Sequence, residues 1–212
     1  MTRTNTPDSG YPIYNGHQRS TAQLGDFGLS VFRSFESSQF DPVFHTLEEV
    51  LGDAVIRIRG RGMEKPPMVS LLEINEVKRQ RALGRLPVRE VINEVYESIG
   101  SLRHEIAAIP SRVQLLGRSG SKGKVLVAVF EDETERQLAG ERIQILETLE
   151  GLAEAPYEFN WLQHKRPHIS LARITASQVE KATAEVRYKI QQSLPPTVAL
   201  HRATLHNPSR SN

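Results

Sequence analysis

The chain contains no cysteine. That excludes disulfides, thiolate catalysis and zinc sites built on cysteine. No apolar run approaches membrane-spanning length, and the N-terminus lacks the apolar centre of a secretory signal. A cytoplasmic protein with no membrane partner is therefore expected. A surplus of one charge is missing too: 27 Lys and Arg against 25 Asp and Glu leave a formal net charge of +2, too little for a strong polyanion-attracting field overall. A phosphate-cradling P-loop is also absent. The segment Arg118-Ser119-Gly120-Ser121-Lys122-Gly123 lacks the Gly-x-x-x-x-Gly-Lys-Ser/Thr spacing and leads into a strand, not a helix.

What the chain does have is enough length and ordinary enough composition for one sizeable domain, or two small lobes, with a real core. Residues 1–26 are rich in Thr, Ser, Asn, Gly and Pro and read as a tail, as do 207–212. Phe27–Phe32 alternates as a half-buried strand. Asp41-Pro42 opens a helix with Asp41 as cap, and Gly52 ends it. Ala54–Arg59 and Met68–Ile74 read as strands, and Arg79–Pro87 as a basic link. Val88 to about Ala108 has helical spacing, interrupted by Gly100. Ile109–Gly117 and Lys124–Glu131 form a hairpin. Helices are expected from Glu133 to Ala153, with Leu138, Ile143, Ile145, Leu146 and Leu149 in the core, and from Ser177 to Leu194, capped by Thr175 or Ser177. A last strand runs from Thr197 to Leu205. The hairpin argues against a purely parallel sheet, so the fold class is α+β, with two small antiparallel sheets and helices packed outside. A single mixed sheet is the alternative.

One stretch organises the rest: Pro167-His168-Ile169-Ser170-Leu171-Ala172-Arg173. As a strand it sets His168 and Ser170 on one face and Ile169 and Leu171 on the other. An imidazole beside a hydroxyl suits a phosphate; the plainer reading is a polar face turned to solvent. An echo stands earlier in the chain, Pro67-Met68-Val69-Ser70-Leu71-Leu72. Pro67 matches Pro167, Val69 matches Ile169, Ser70 matches Ser170, Leu71 matches Leu171, and Met68 stands against His168. This is a weak internal repeat. Basic residues cluster as Arg57, Arg59, Arg61 and Lys65 before the first motif, and as Lys122 and Lys124 in mid-chain.

From Phe27 to His206 the chain resembles the 2H phosphoesterase superfamily, which includes the 2′-5′ RNA ligase-like proteins and RNA 2′,3′-cyclic phosphodiesterases. That family carries two His-x-Thr/Ser-hydrophobic motifs, one per lobe. Pro167–Arg173 resembles the second motif. The first departs from it, because Met68 stands where the family has histidine. The resemblance implies a single domain over 27–206, two-lobed and pseudo-twofold, with two antiparallel sheets around a central cleft. It implies catalysis by His168, substrate binding by Ser70 and Ser170, a degenerate catalytic position at Met68, and no metal or other cofactor. The implied partner is an RNA end or nucleotide carrying a terminal or cyclic phosphate.

The chemistry explains why those residue types matter. Cleavage at a cyclic phosphate needs a general base, a general acid and donors to the non-bridging oxygens. Two imidazoles on opposite sides of phosphorus supply both proton roles without a metal. This chain supplies one, and a methionine cannot transfer a proton. Two functions follow. One is a metal-independent cyclic phosphodiesterase or 2′-5′ RNA ligase-like enzyme, weakened at Met68, with His201 as a candidate stand-in. The other is a 2H fold that binds an RNA end or nucleotide without turning it over.

Overall fold

The structure, a computed structural model, describes residues 29–52, 55–58, 68–84, 86–102, 104–117, 123–163 and 165–206; for residues 55–58, 76, 161 and 206 only the backbone is described. The expected tails at 1–26 and 207–212 lie outside these residues, as do Arg59, Arg61, Lys65, Pro67, Lys122 and His164.

Strand β1 is Leu29–Ser34 and alternates as expected, with Leu29 and Val31 buried, but the next inward position holds a fully buried Arg33. A 3-10 turn at Ser37–Phe40 leads into α1 (Asp41–Leu51). Asp41 is the first helical residue rather than the cap. Phe40 precedes it and makes no side-chain capping bond. Phe40 instead packs between Phe35 and Phe44, at centroid distances of 5.1 and 6.3 Å, so aromatic contact sets the entry angle. Gly52, at φ 47°, ends α1 as expected. Strands β2 (Val55–Ile58) and β3 (Met68–Ile74) follow.

The first part of the expected basic link, Arg79–Leu83, instead belongs to a helix, α2 (Glu76–Leu83). Asn75 caps it by accepting from the Lys78 N–H at 3.0 Å, and Gly84, at φ 55°, closes it. Arg79, Ala82 and Leu83 are its buried face. Because Lys78, Arg79 and Arg81 crowd the segment, its apolar periodicity is nearly invisible in sequence. Helix α3 (Val88–Ile99) stops at Gly100, far short of Ala108. A 3-10 turn follows, and Ile106–Ala108 is a strand, β4. Ile106 and Ala108 are buried by alternation, not by helical period.

The hairpin is β5 (Pro110–Leu116) and β6 (Gly123–Phe130), paired antiparallel as expected. Helix α4 spans Asp132–Leu152. Leu138, Ile145, Leu146 and Leu149 are core residues, but Ile143 is 46% exposed, and Glu141 and Arg142 are buried instead. A 3-10 turn at Pro156–Phe159 and a short α5 (Asn160–Gln163) lead to β7 (His168–Thr175). The expected helix after it divides into a 3-10 segment, Ala176–Lys181, and α6 (Ala184–Gln192). Thr183, not Thr175 or Ser177, caps α6 by accepting from the Val186 N–H. The last strand also divides, into β8 (Val198–Leu200) and β9 (Ala203–His206). These two halves belong to different sheets.

The fold is α+β with two antiparallel sheets among the described residues, unequal rather than both small. The larger has the order β5-β6-β7-β3-β1-β9, with β2 also paired to β7; β4 and β8 form the smaller. One face of the large sheet joins the buried stripes of α1, α3, α4 and α6 in a single core. Burial of these apolar side chains is the dominant favourable term. The other face carries the two motifs.

Candidate functional site

Strands β3 and β7 meet antiparallel through one register pair, Val69↔Ile169. Both residues are buried and belong to the helix-side core. Side chains alternate along a strand, so Met68 and Ser70 point away from that core, and so do His168 and Ser170. Met68 and His168 are half-buried, Ser70 is exposed and Ser170 half-buried. One residue along each strand from the pair, Ser70 lies across from His168 and Met68 across from Ser170. An antiparallel pair has a local twofold relation about its centre, and that relation exchanges Met68 with His168 and Ser70 with Ser170.

Both motif strands carry a β-bulge at the same place. Between β1 and β3, Phe32 pairs with Ser70 and Val31 with Leu72, leaving Leu71 as the extra residue. Between β6 and β7, Val127 pairs with Ser170 and Leu126 with Ala172, leaving Leu171 extra. A bulge re-aims the side chains beside it. It explains the adjacent buried pairs Leu71-Leu72 and Leu171-Ala172, after which Glu73 and Arg173 return to the motif face. Phe32 flanks Ser70 on that face, and Arg57 is the register partner of Arg173. Val125, Val127 and Val129, register partners of Arg173, Ser170 and His168, form a separate apolar cluster there.

His168 Nδ1 lies 2.9 Å from the Arg166 carbonyl oxygen. A carbonyl only accepts, so Nδ1–H donates, which leaves Nε2 as the nitrogen able to take a proton. His201 is elsewhere. Its Nδ1 is 3.1 Å from Glu105 Oε1 and its Nε2 is 3.5 Å from Glu36 Oε1, while its backbone N–H donates to Ser34 at 2.8 Å. Among the described residues its ring meets those carboxylates rather than the motif side chains.

Beneath the motif face two buried arginines tie β1 and β3 to α4. Arg33 makes a bidentate pair with Glu141, both bonds 2.7 Å, and donates to the carbonyls of His104, His201 and Leu102. Arg142 donates from Nε to the Leu71 carbonyl at 2.6 Å and from Nη2 to the Ser70 carbonyl at 3.4 Å. Its Nη1 is buried without a hydrogen-bond partner among the described residues. Burial pushes the Arg142 guanidinium down to about 10, because desolvation disfavours the charged form. Lys165, in the turn before β7, is also lowered, first by desolvation and further by Arg142, with the Glu73 carboxylate working the other way. Lys165 is exposed, so solvent screens these charge interactions.

The repeat matches Ser70 with Ser170 and Met68 with His168, but nothing in it points to Arg33, Glu141 or Arg142. The bulges did leave a signal. Each Ser is followed by two apolar residues, then a charged one, then Ile74 or Ile174. Among the described residues no three His, Asp or Glu side chains gather as a metal site requires, and no helix is long and apolar enough to cross a membrane.

Comparison with protein-family models finds no match, and comparison with curated proteins finds none. Comparison with solved structures identifies the fold. The structure of Kluyveromyces marxianus Usb1 is similar at a TM-score of 0.52 and 10% identity, over 86% of this chain and 94% of that one. A second structure of Kluyveromyces marxianus Usb1, with uridine monophosphate, is similar at a TM-score of 0.52 and 11% identity over the same shares.

Proposed function

We propose that this chain is a two-lobed, pseudo-twofold protein of the 2H phosphoesterase kind, which holds the phosphate of an RNA end or nucleotide between Met68–Ser70 and His168–Ser170. The observation that carries the reading is the Val69↔Ile169 pair, flanked by matched bulges at Leu71 and Leu171. The sheet order supports the two lobes: β7, β6 and β5 run outward on one side of that pair, and β3, β1 and β9 on the other. Uridine monophosphate in a solved structure of similar fold supports a nucleotide ligand.

In this reading the Ser70 and Ser170 hydroxyls and the Arg173 guanidinium donate to non-bridging phosphate oxygens. His168 Nε2 exchanges the proton at one bridging oxygen. On the opposite side Met68 offers no proton acceptor or donor. Loss of one proton-transfer group typically costs about 10²–10⁴-fold in rate. The site therefore acts on a 2′,3′-cyclic or 2′-5′-linked end slowly, and Met68 favours binding over turnover. The test is paired measurement on a 2′,3′-cyclic mononucleotide: binding by calorimetry and hydrolysis by chromatography. Binding with slow turnover, both lost in His168→Ala together with Ser170→Ala, is expected. Failure to bind, or turnover untouched by those substitutions, overturns the assignment.

A further inference from the structure

The matched bulges are held differently. Strand β7 pairs with β6 from His168 to Thr175 on one edge, and with β3 and β2 on the other. Its bulge at Leu171 lies within the β6 ladder on one edge, and on the other it is bracketed by the pairs that Ile169 makes with β3 and Ala172 with β2. Strand β3 is paired along β1, but toward β7 it has only Val69↔Ile169 among the described residues. Past that pair, the Ser70 and Leu71 carbonyls are met by the buried Arg142 of α4, at 3.4 and 2.6 Å. Buried carbonyls need donors, and a planar guanidinium reaches two at once where an ammonium serves as a point charge. Arg142 is 3% exposed and, among the described residues, leaves Nη1 without a hydrogen-bond partner. A buried cation with an unsatisfied nitrogen is costly, more than two ordinary backbone carbonyls would ask for.

The geometry points to Arg142 as a positioning residue that fixes the β3 bulge and so aims the Ser70 hydroxyl across the strand pair at the phosphate bound beside His168; this rests on the proposed binding reading. Arg142 itself does not reach the ligand. Among the described residues no side chain donates to the Ser170 or Leu171 carbonyl, so the two hydroxyls depend on such a clamp unequally.

A double-mutant cycle with uridine monophosphate as the probe tests this. Arg142→Lys keeps the charge but loses the fork, and is expected to weaken binding about tenfold, as removal of one hydrogen bond to a charged group does. It should do the same in a Ser170→Ala background and add nothing in a Ser70→Ala background. A general structural defect would weaken binding equally in all three, and that outcome overturns the role. Arg142→Gln serves as a second variant, each accepted only with native circular dichroism. The backbone carbonyl shifts of Ser70 and Leu71, read by NMR without ligand, should move in Arg142→Lys while those of Ser170 and Leu171 stay. Unmoved Ser70 and Leu71 shifts overturn the clamp alone. Absence of uridine monophosphate binding by the natural protein overturns the binding reading, and the positioning role with it.

Discussion

Met68 and His168 stand in equivalent places on two strands that meet at one residue pair. One side chain is an imidazole, able to carry a proton, and the other a thioether, which is not. On the proposed reading, Met68→His supplies a second proton-transfer group beside His168. Cyclic phosphodiesterase activity should then rise, by no more than the roughly 10²–10⁴-fold that one positioned acid or base contributes. The pH dependence should change with it, from a single limb to a bell, since an acid and a base are then both required. The measurement is kcat/KM on a 2′,3′-cyclic nucleotide for the natural protein, Met68→His, and Met68→His combined with His168→Ala. Equal rates for the first two would mean that Met68 is not the missing half.

At the scale of elements, α4 is the beam under the first motif. Glu141 and Arg142 are consecutive, so they project about 100° apart around the helix: one grips Arg33 on β1, the other the β3 bulge. Glu141→Gln leaves Arg33 buried without its carboxylate. Removing one partner of a buried pair costs about 3–5 kcal/mol, and that loss should appear in urea unfolding. A cost under about 1 kcal/mol, the value of an exposed pair, would show that the three carbonyls around Arg33 suffice to hold it. Two elements are poorly legible in the sequence. Helix α2 was hidden by Lys78, Arg79 and Arg81, whose charges mask the inward Ala82 and Leu83. The segment from Val88 to Ala108 kept an apolar pattern across Gly100, although the pattern changes period there from helix to strand.

Across the whole molecule, one sheet face is closed by helices and the other carries the residues of both motifs. A ligand on that face should depend on both. Ser70→Ala and Ser170→Ala are each expected to weaken uridine monophosphate binding by about tenfold, and a chelator should leave binding unchanged. Equilibrium dialysis with and without EDTA checks this. Binding that survives loss of both hydroxyls, or vanishes with the chelator, would point to a different site.

Local pattern suffices for the two motif strands, the alternation that turns His168 and Ser170 away from Ile169, the hairpin and α4. Those follow from local period and turn chemistry, which neighbouring residues settle among themselves. It also marked Met68 as the departure, because the repeat around it is legible residue by residue. Long-range packing instead parts β8 and β9 into different sheets, brings β3 and β7 together at a single pair among the described residues, and sets Arg33, Glu141 and Arg142 in the core. Charged residues on a helix and a strand read as solvated faces until a partner is supplied from far along the chain. Arg33 and Glu141 are 108 residues apart, and Arg142 and Leu71 are 71 apart. No local pattern encodes such pairings; they exist only because burying an ion is tolerable when its partner is already in place.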